Sequence, residues 1–146
     1  MTGPHLLLSQ NFFDTNVLLY LISKDTAKAG RAEELMASGG TISTQVLNEF
    51  ASVAFRKGRL SWLEIREVLS TIRRLCRVTT IDVDMHDEAI RIAERYRFSF
   101  YDALIVAAAL SAGCSTLYTE DLNDGQLIEA VTVRNPFTSP AKRPLA

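Results

Sequence analysis

The sequence predicts an α/β domain: a three-layer sandwich in which helices cover both faces of a central, mostly parallel sheet. Three observations predict this class. Short apolar segments with strand character alternate along the chain with segments of helical periodicity. Strands separated by helices pair in parallel. These strands are also almost continuously apolar, which is typical of strands buried on both faces.

The first half of the chain divides into two strands and three helices by its apolar periodicity and its cap residues. Asp25 is a predicted helix N-cap, and Gly58 is predicted to end a helix that Thr44 opens. In order, the predicted elements are a strand at 11–13, a helix after Asp14, a helix ending at Ala37, a strand at 41–43 and the helix opened by Thr44.

The second half begins with a predicted capping box, Ser61 followed three residues later by Glu64. The apolar stripe behind it is predicted to pack into the core, and any exposed part would form an interaction surface. Its members are Trp62, Ile65, Leu69, Ile72 and Cys76. The remaining predicted elements are a strand at 78–81, a helix at 85–96 capped by Asp84, a helix from Ser99 to Ala112 stopped by Gly113, and strands at 116–119 and 131–133.

Composition indicates one globular domain, because 47% of the 146 residues are hydrophobic and 23% are charged. We expect this domain to span residues 1–137, followed by an irregular proline-rich tail at 138–146. The two cysteines, Cys76 and Cys114, show no metal-ligand spacing and are expected to be reduced. The sequence shows neither a signal peptide nor an apolar run of membrane-spanning length, so the prediction is a cytoplasmic protein without membrane contact.

Four carboxylates in apolar surroundings are the most informative feature of the sequence. They are Asp14, Glu49, Asp102 and Asp121. Buried carboxylates are costly unless they are paired, capped or bound to a cation. In a doubly wound sheet, side chains that follow the carboxyl ends of strands gather where the strand order reverses. An all-oxygen cluster there would suit Mg²⁺ or Mn²⁺, which could activate water for phosphodiester hydrolysis.

Three of the four acids also have a structural interpretation. Such an interpretation is weaker for Glu49, because an acid in the middle of a helix has no unpaired backbone amide to satisfy. Asp14 could cap the following helix, and Ser99 with Asp102 could form a plain capping box. Asp121 lies in a loop, where acids are commonly solvated. The prediction of chemistry therefore depends on the set of four acids. Histidine is not required: His5 and His86 are expected to be surface residues.

At these positions the sequence resembles the PIN-domain nucleases, and specifically the VapC-type ribonuclease toxins of bacterial toxin–antitoxin modules. Four segments match the family's motifs in the right order, and the resemblance extends from about residue 12 to residue 137. The segments are Phe13-Asp14-Thr15-Asn16-Val17-Leu18, Ser43-Thr44-Gln45-Val46-Leu47-Asn48-Glu49-Phe50, Ser99-Phe100-Tyr101-Asp102-Ala103 and Leu117-Tyr118-Thr119-Glu120-Asp121-Leu122.

The resemblance implies a PIN-like fold and a metal-dependent endoribonuclease. Asp14, Asp102 and Asp121 would hold one or two Mg²⁺ or Mn²⁺ ions, with Glu49 as a further ligand or proton acceptor. Supporting roles are implied for Thr15, Asn16, Ser99 and Thr119, and either Glu120 or Asp124 could share the role of Asp121. The implied partners are an RNA substrate and a cognate antitoxin that inhibits the toxin, and a homodimer is expected.

A basic segment offers a surface for such partners. Residues 56–77 contain seven basic residues and two acidic ones. Within this segment, Arg56, Lys57 and Arg59 are predicted to contact the RNA backbone or an acidic part of the antitoxin. The open alternative is an ordinary solvated helix face with intrahelical ion pairs.

Two other functions remain open from the sequence. A PIN nuclease of RNA processing or maturation, without a toxin role, would show the same motifs. A non-catalytic α/β signalling module would need paired acids after the first strand and a lysine near the last. After the first predicted strand, Asp14 has no adjacent acid. The only lysine near the end of the chain is Lys142, which lies in the tail, so the sequence does not favour this module.

Overall fold

The structure, a computed structural model, describes residues 10–138. Within them six strands form one sheet in the order β3-β2-β1-β4-β6-β5. The strands are β1 (Asn11–Phe13), β2 (Gly40–Ser43), β3 (Cys76–Thr79), β4 (Thr116–Tyr118), β5 (Leu127–Ile128) and β6 (Val131–Arg134). The helices are α1 (Thr15–Leu19), α2 (Thr26–Ala37), α3 (Thr44–Arg56), α4 (Trp62–Leu75), α5 (Val83–Tyr96) and α6 (Phe100–Ser111), and a 3₁₀ turn at Tyr20–Ile22 follows α1.

The sheet is parallel except at one edge, where β5 pairs antiparallel with β6. All four residues of β2 are buried, so both faces of the sheet are covered at this strand. The predicted α/β class with a mostly parallel sheet between helical layers is confirmed.

The strand order reverses beside β1. The chain moves outward from β1 to β2 and β3, and then returns to place β4 on the other side of β1. The register aligns Phe13 with Tyr118, so β1 and β4 end side by side. The backbone N–H of Asp14 donates to the carbonyl of Tyr118 at 3.0 Å. The carboxyl ends of these two strands therefore form the crevice in which ligands bind in such folds.

The core around β1 is tightly packed. Phe12 and Phe13 are fully buried, and the ring of Phe13 stacks on that of Tyr118. Gly40 on β2 lies against this ring, because a Cβ added there would overlap Phe13 and lie 2.9 Å from the carbonyl oxygen of Asn11. A residue without a side chain is thus required where β2 passes the aromatic ring of its neighbour.

Several predicted helix boundaries are confirmed by the capping contacts. The Asp25 side chain accepts from the backbone N–H of Lys28 at 3.2 Å. Ser61 and Glu64 form the reciprocal capping box, with each side chain accepting from the other residue's backbone N–H. Gly113 follows α6 with a φ of +74°, a conformation that favours glycine.

The start of α5 and the position of β3 differ from the prediction by two residues. The cap of α5 is Asp82 and not Asp84, because the Asp82 carboxylate accepts from the backbone N–H of Met85 at 2.9 Å. Asp84 lies in the first turn, where its charge favours the helix dipole. Strand β3 was expected at 78–81 but occupies Cys76–Thr79, since α4 leads into it directly and Cys76 pairs in register with Gly40.

The sequence expectations around the α3–α4 turn also need correction. Helix α3 ends at Arg56, and the residue with a left-handed backbone is Arg59 (φ 56°) rather than Gly58. Gly58 is constrained by close approach instead, because a Cβ there would lie 2.8 Å from the Ala54 carbonyl oxygen. Trp62 is not in the core: as the first residue of α4 it is 53% exposed, whereas Ile65 and Ile72 of the same stripe are buried.

Some expectations fall outside the described residues. These are the surface position of His5 and, except for Thr138, the irregular tail. His86 is exposed near the start of α5, as expected. Over residues 10–138, none of the helices has the length and apolar character needed to cross a membrane.

Candidate active site

Asp14 lies at the centre of the site, buried at the end of β1. It is the N-cap of α1, and its Oδ1 accepts from the backbone N–H of Thr15 at 2.7 Å. Its Oδ2 accepts from the hydroxyl of Thr119 at 2.8 Å. The capping interpretation and the functional one are therefore compatible, because each oxygen keeps lone pairs beyond these two bonds.

Thr119 connects the two sides of the crevice. It is fully buried after β4, and its Oγ1 donates to Asp14 while accepting from the side-chain amide of Asn16 at 3.3 Å and from the backbone N–H of Asp121 at 3.0 Å. The carbonyl oxygen of the Asn16 side chain also accepts from the backbone N–H of Glu120 at 3.3 Å. The start of α1 is thereby joined to the loop that carries Asp121.

Glu49 reaches the site from the second turn of α3. Its Oε1 accepts from the hydroxyl of Thr15 at 2.7 Å, and its Oε2 accepts from the side-chain amide of Gln45 at 3.4 Å. The same amide lies 3.5 Å from the carbonyl oxygen of Tyr101. Gln45 therefore links the helix that bears Glu49 to the start of α6, where Asp102 lies.

Asp102 is half-buried in the first turn of α6, and its backbone N–H donates to the Ser99 hydroxyl at 3.2 Å. Ser99 is the N-cap of this helix. The supporting position implied for Ser99 thus corresponds to a capping contact that fixes the backbone of Asp102.

The charges of Asp121 and Glu49 act on both Asp14 and Asp102. Burial raises the pKa of Asp14 from 3.8 to about 7, against the lowering effect of the bonds from Thr119 and Thr15, and the nearby charges of Asp121 and Glu49 raise it further. Burial also raises the pKa of Asp102, the contact with Ser99 lowers it, and the charges of Asp121 and Glu49 again raise it. The fold thus concentrates negative charge at one place, which a cation would offset.

Three of the four acids line one open pocket of about 330 Å³. Asp14 forms its buried wall, Glu49 is half-buried and Asp121 is exposed. Asp102 contributes through its charge and is not among the lining residues. Arg56 lines the same pocket, and its Nε donates to the hydroxyl of Ser52 at 3.3 Å. Lys57 and Arg59 are exposed just past the end of α3.

Two further acids of the β4–β5 loop have their own partners. Asp124 accepts from the backbone N–H of Asn135 at 2.9 Å. Glu120 lies 3.9 Å from the ammonium group of Lys28. Asp121 therefore differs from both, since it is the loop acid that lines the pocket with Asp14 and Glu49.

The donor set fits a hard divalent cation in its chemistry. All four acids offer oxygen ligands. Burial, and to a lesser extent the charges of Asp121 and Glu49, disfavours the ionised form of Asp14, and a cation would relieve both effects. The fit is one of residue type and charge: among residues 10–138, no three carboxylate, imidazole or thiol side chains converge into a closed metal-binding group. Ligation would therefore need side-chain adjustment or water ligands, which Mg²⁺ commonly keeps.

Comparison with protein families identifies the domain. The family model described as the PIN domain matches residues 12–125, a span that contains all four acids. The chain belongs to the PIN domain family. Members of this family are nucleases, so the predicted resemblance is confirmed at the level of the family. No match to a curated protein was found.

Solved PIN structures similar to this chain include toxins of toxin–antitoxin modules. VapC20 of Mycobacterium tuberculosis, described as a sarcin-ricin loop cleaving toxin, is 26% identical with a TM-score of 0.62, and the match covers 76% of this chain and 89% of that one. A toxin–antitoxin complex from Klebsiella pneumoniae is 20% identical with a TM-score of 0.67, covering 87% and 98%. DNA-bound VapBC from Salmonella typhimurium is 21% identical with a TM-score of 0.66, covering 88% and 98%.

Sequence reasoning missed two contributors to the site of this PIN domain. Gln45 bridges α3 to α6, and its position one helical turn before Glu49 could have indicated the contact. Lys28 donates to the Tyr20 hydroxyl at 3.1 Å and lies near Glu120, so it supports the loop of Asp121 from α2. No local pattern indicates Lys28, because the contact with Glu120 joins residues that are distant in sequence.

Proposed function

We propose that this PIN domain is a metal-dependent endoribonuclease that acts as the toxin of a toxin–antitoxin module. The observation that carries the proposal is that Asp14, Glu49 and Asp121 line one pocket beside the carboxyl ends of β1 and β4, with Asp102 of α6 within electrostatic reach of Glu49 and Asp121. Such a concentration of carboxylates destabilises the domain unless a cation is bound, and it lies at the ligand-binding crevice of the fold.

The chain's own residues would divide the work as follows. Asp14, Asp102 and Asp121 would hold Mg²⁺ or Mn²⁺. When bound, such an ion lowers the pKa of a coordinated water and offsets the charge that develops on the phosphate. Glu49, held by Thr15 on one oxygen, would act as a further ligand or accept the proton of the attacking water. Arg56 at the pocket rim would bind a phosphate of the RNA.

The same proposal includes the partners and the location of the protein. Complexes among the structural neighbours support a cognate antitoxin that blocks the site, with a homodimer and a cytoplasmic location as further parts of the proposal. Arg56, Lys57 and Arg59 would serve RNA in the free toxin and an acidic segment of the antitoxin in the complex.

Induced expression in a bacterial host tests the toxin role. Wild type is expected to arrest growth, whereas Asp14→Asn, which removes the buried charge and keeps the shape, is expected to permit growth at equal protein level. Co-expression of a small DNA-binding protein encoded beside this gene should restore growth of the wild-type strain. Equal arrest by wild type and Asp14→Asn would reject catalysis as the cause, and normal growth with wild type would reject the toxin role.

A further inference from the structure

An exposed pair of stacked aromatic rings lies at the α3–α4 turn. The rings of Phe55 and Trp62 are 4.1 Å apart between centroids and inclined by only 8°. Phe55 is 45% exposed and Trp62 is 53% exposed, as expected when each ring covers one face of the other. The outer faces are thus open to solvent, although exposed aromatic rings are costly unless something else covers them.

Helix α3 connects this pair to the proposed active site. Phe55 directly precedes Arg56, which lines the pocket of Asp14, Glu49 and Asp121. From Glu49 to Phe55 the helix rises about 9 Å. Six residues also turn Phe55 about 120° away from Glu49 around the helix axis. A strand whose phosphate occupies the pocket would therefore curve around α3 and reach the aromatic pair after several nucleotides of about 3.4 Å each.

The surroundings of the pair favour one class of ligand. Arg56, Lys57 and Arg59 follow Phe55 along the chain, and all three are exposed. Flat aromatic faces beside cationic side chains are typical of surfaces that bind single-stranded nucleic acid, where bases stack on the rings and phosphates meet the cations. A protein partner of aliphatic character would be better served by a groove than by an open ring face.

We propose that the Phe55–Trp62 pair is a base-stacking site that holds an unpaired nucleotide of the RNA several nucleotides from the scissile position. The base extends the aromatic stack on its open face, while Arg56, Lys57 and Arg59 neutralise the neighbouring phosphates. This inference rests on the proposed ribonuclease function and adds to it a preference for single-stranded substrate. Trp62 binds substrate here and takes no part in bond cleavage.

Trp62 is the single tryptophan of the sequence, so its fluorescence reports on this site alone. Wild-type protein in EDTA, which prevents cleavage, would be titrated with a ten-nucleotide oligouridylate and with an abasic oligomer of the same phosphate number. Stacking predicts that the oligouridylate quenches Trp62 emission and binds about tenfold more tightly than the abasic oligomer. Equal quenching and equal affinity for the two oligomers would overturn the proposal.

Variants separate stacking from folding defects. Trp62→Ala is expected to weaken oligouridylate binding about tenfold and Trp62→Phe about threefold or less, measured by fluorescence anisotropy of a labelled oligomer. Leu63→Ala is the matched control, since Leu63 is 62% exposed on the same turn but is not aromatic. Circular dichroism must show equal folding. If Trp62→Ala binds RNA like wild type but is no longer neutralised by the antitoxin, the pair is a protein-docking surface and the proposal is wrong.

The two proposals fail in different ways. If wild type cleaves RNA in a manner that depends on Asp14, but oligouridylate does not quench its Trp62 emission, the stacking site alone would be overturned. If oligouridylate quenches Trp62 emission but wild type and Asp14→Asn arrest growth equally, the catalytic function alone would be overturned. Absence of any RNA binding by wild type would overturn both.

Discussion

At the scale of single residues, Thr119 holds the site together more than any of its acids does. Its hydroxyl donates to Asp14 and accepts from Asn16 and from the backbone of Asp121, all in a fully buried position. This one oxygen therefore orients groups from both strands that border the crevice.

Replacing Thr119 by valine keeps the shape and removes the hydroxyl. Three polar groups would then lose a partner, so we expect the free energy of unfolding to fall by about 2 kcal/mol and RNA cleavage to decrease. Urea denaturation and a cleavage assay measure the two effects. Thr119→Ser, which keeps the hydroxyl, should stay closer to wild type in both. A valine variant as stable and as active as wild type would contradict the bridging role.

The raised pKa of Asp14 predicts an unusual pH dependence of stability for the metal-free protein. The unfolded chain loses this proton near pH 3.8, whereas the folded chain keeps it until about pH 7. Between these values the folded state binds more protons, so stability falls as pH rises from about 4 to about 7 and then levels off. The contribution of Asp14 is fully present below pH 3.8 and lost above pH 7.

Asp14→Asn has no proton to lose over this range. In EDTA it should match wild type near pH 4 and exceed it at pH 8 by on the order of 2–4 kcal/mol. Urea unfolding of both proteins at several pH values measures the difference. If the difference in unfolding free energy between Asp14→Asn and wild type is the same at pH 4.5 and pH 8, ionisation of Asp14 does not destabilise the folded protein and the prediction is wrong.

At the scale of secondary-structure elements, the sequence predicted most of the fold because its local signals agree with the tertiary structure. The capping box of α4 and the Asp25 cap are local contacts, so the sequence is enough to place them. Strand β5 has only two residues, too few for any periodicity, and its position depends on pairing with β6. The exposure of Trp62 could not be predicted from the sequence. Helical spacing shows which residues share a face of a helix, but it does not show which turn of the helix is the first to pack against the core.

The candidate site shows the same division. Asp14 and Asp102 could be predicted because each adjoins a strongly apolar segment that fixes its place at a strand end or helix start. The contacts of Thr15 with Glu49 and of Asn16 with Thr119 join residues 34 and 103 positions apart. Contacts between residues so far apart in sequence depend on the order of the strands in the sheet. The sequence predicts the class of the sheet but not this order.

Two glycines differ in the space around them, so we expect alanine substitutions at them to have opposite effects on stability. Gly40→Ala would force a methyl group against Phe13 and the Asn11 backbone, so we expect a loss of about 2 kcal/mol in unfolding free energy. Gly30→Ala in α2 meets no atom within 4 Å and should stabilise the protein by about 0.5–1 kcal/mol. Thermal and urea unfolding test both. Equal effects of the two substitutions would contradict the packing described for β1 and β2.

At the scale of the whole molecule, the net charge of −1 conceals an uneven distribution. Three acids and Arg56 line the pocket at the crevice, and Lys57 and Arg59 are exposed just past the end of α3. A near-neutral total is therefore compatible with a nucleic-acid substrate, because the acids would be offset by a bound cation while the basic residues remain available to phosphate.

This distribution predicts how RNA binding depends on salt. Replacing Arg56, Lys57 and Arg59 together by glutamine should weaken binding and reduce the slope of log affinity against log salt by about 2, at roughly 0.7 per phosphate contact on a single strand. The control replaces Arg66, Arg73 and Arg74 on α4, an equal change in charge at exposed positions. If the control lowers the slope as much as the first variant does, the rim residues have no special part in binding.

The central claim is that four acids at the ends of β1 and β4 and in α3 and α6 form a metal-dependent ribonuclease site. The most direct measurement is cleavage of a single-stranded RNA by the purified protein in Mn²⁺ or Mg²⁺, with and without EDTA. Wild type should cleave only with the metal, and Asp14→Asn should be slower by about a hundredfold or more. Cleavage that persists in EDTA, or an Asp14→Asn variant that cleaves at the wild-type rate, would contradict the account.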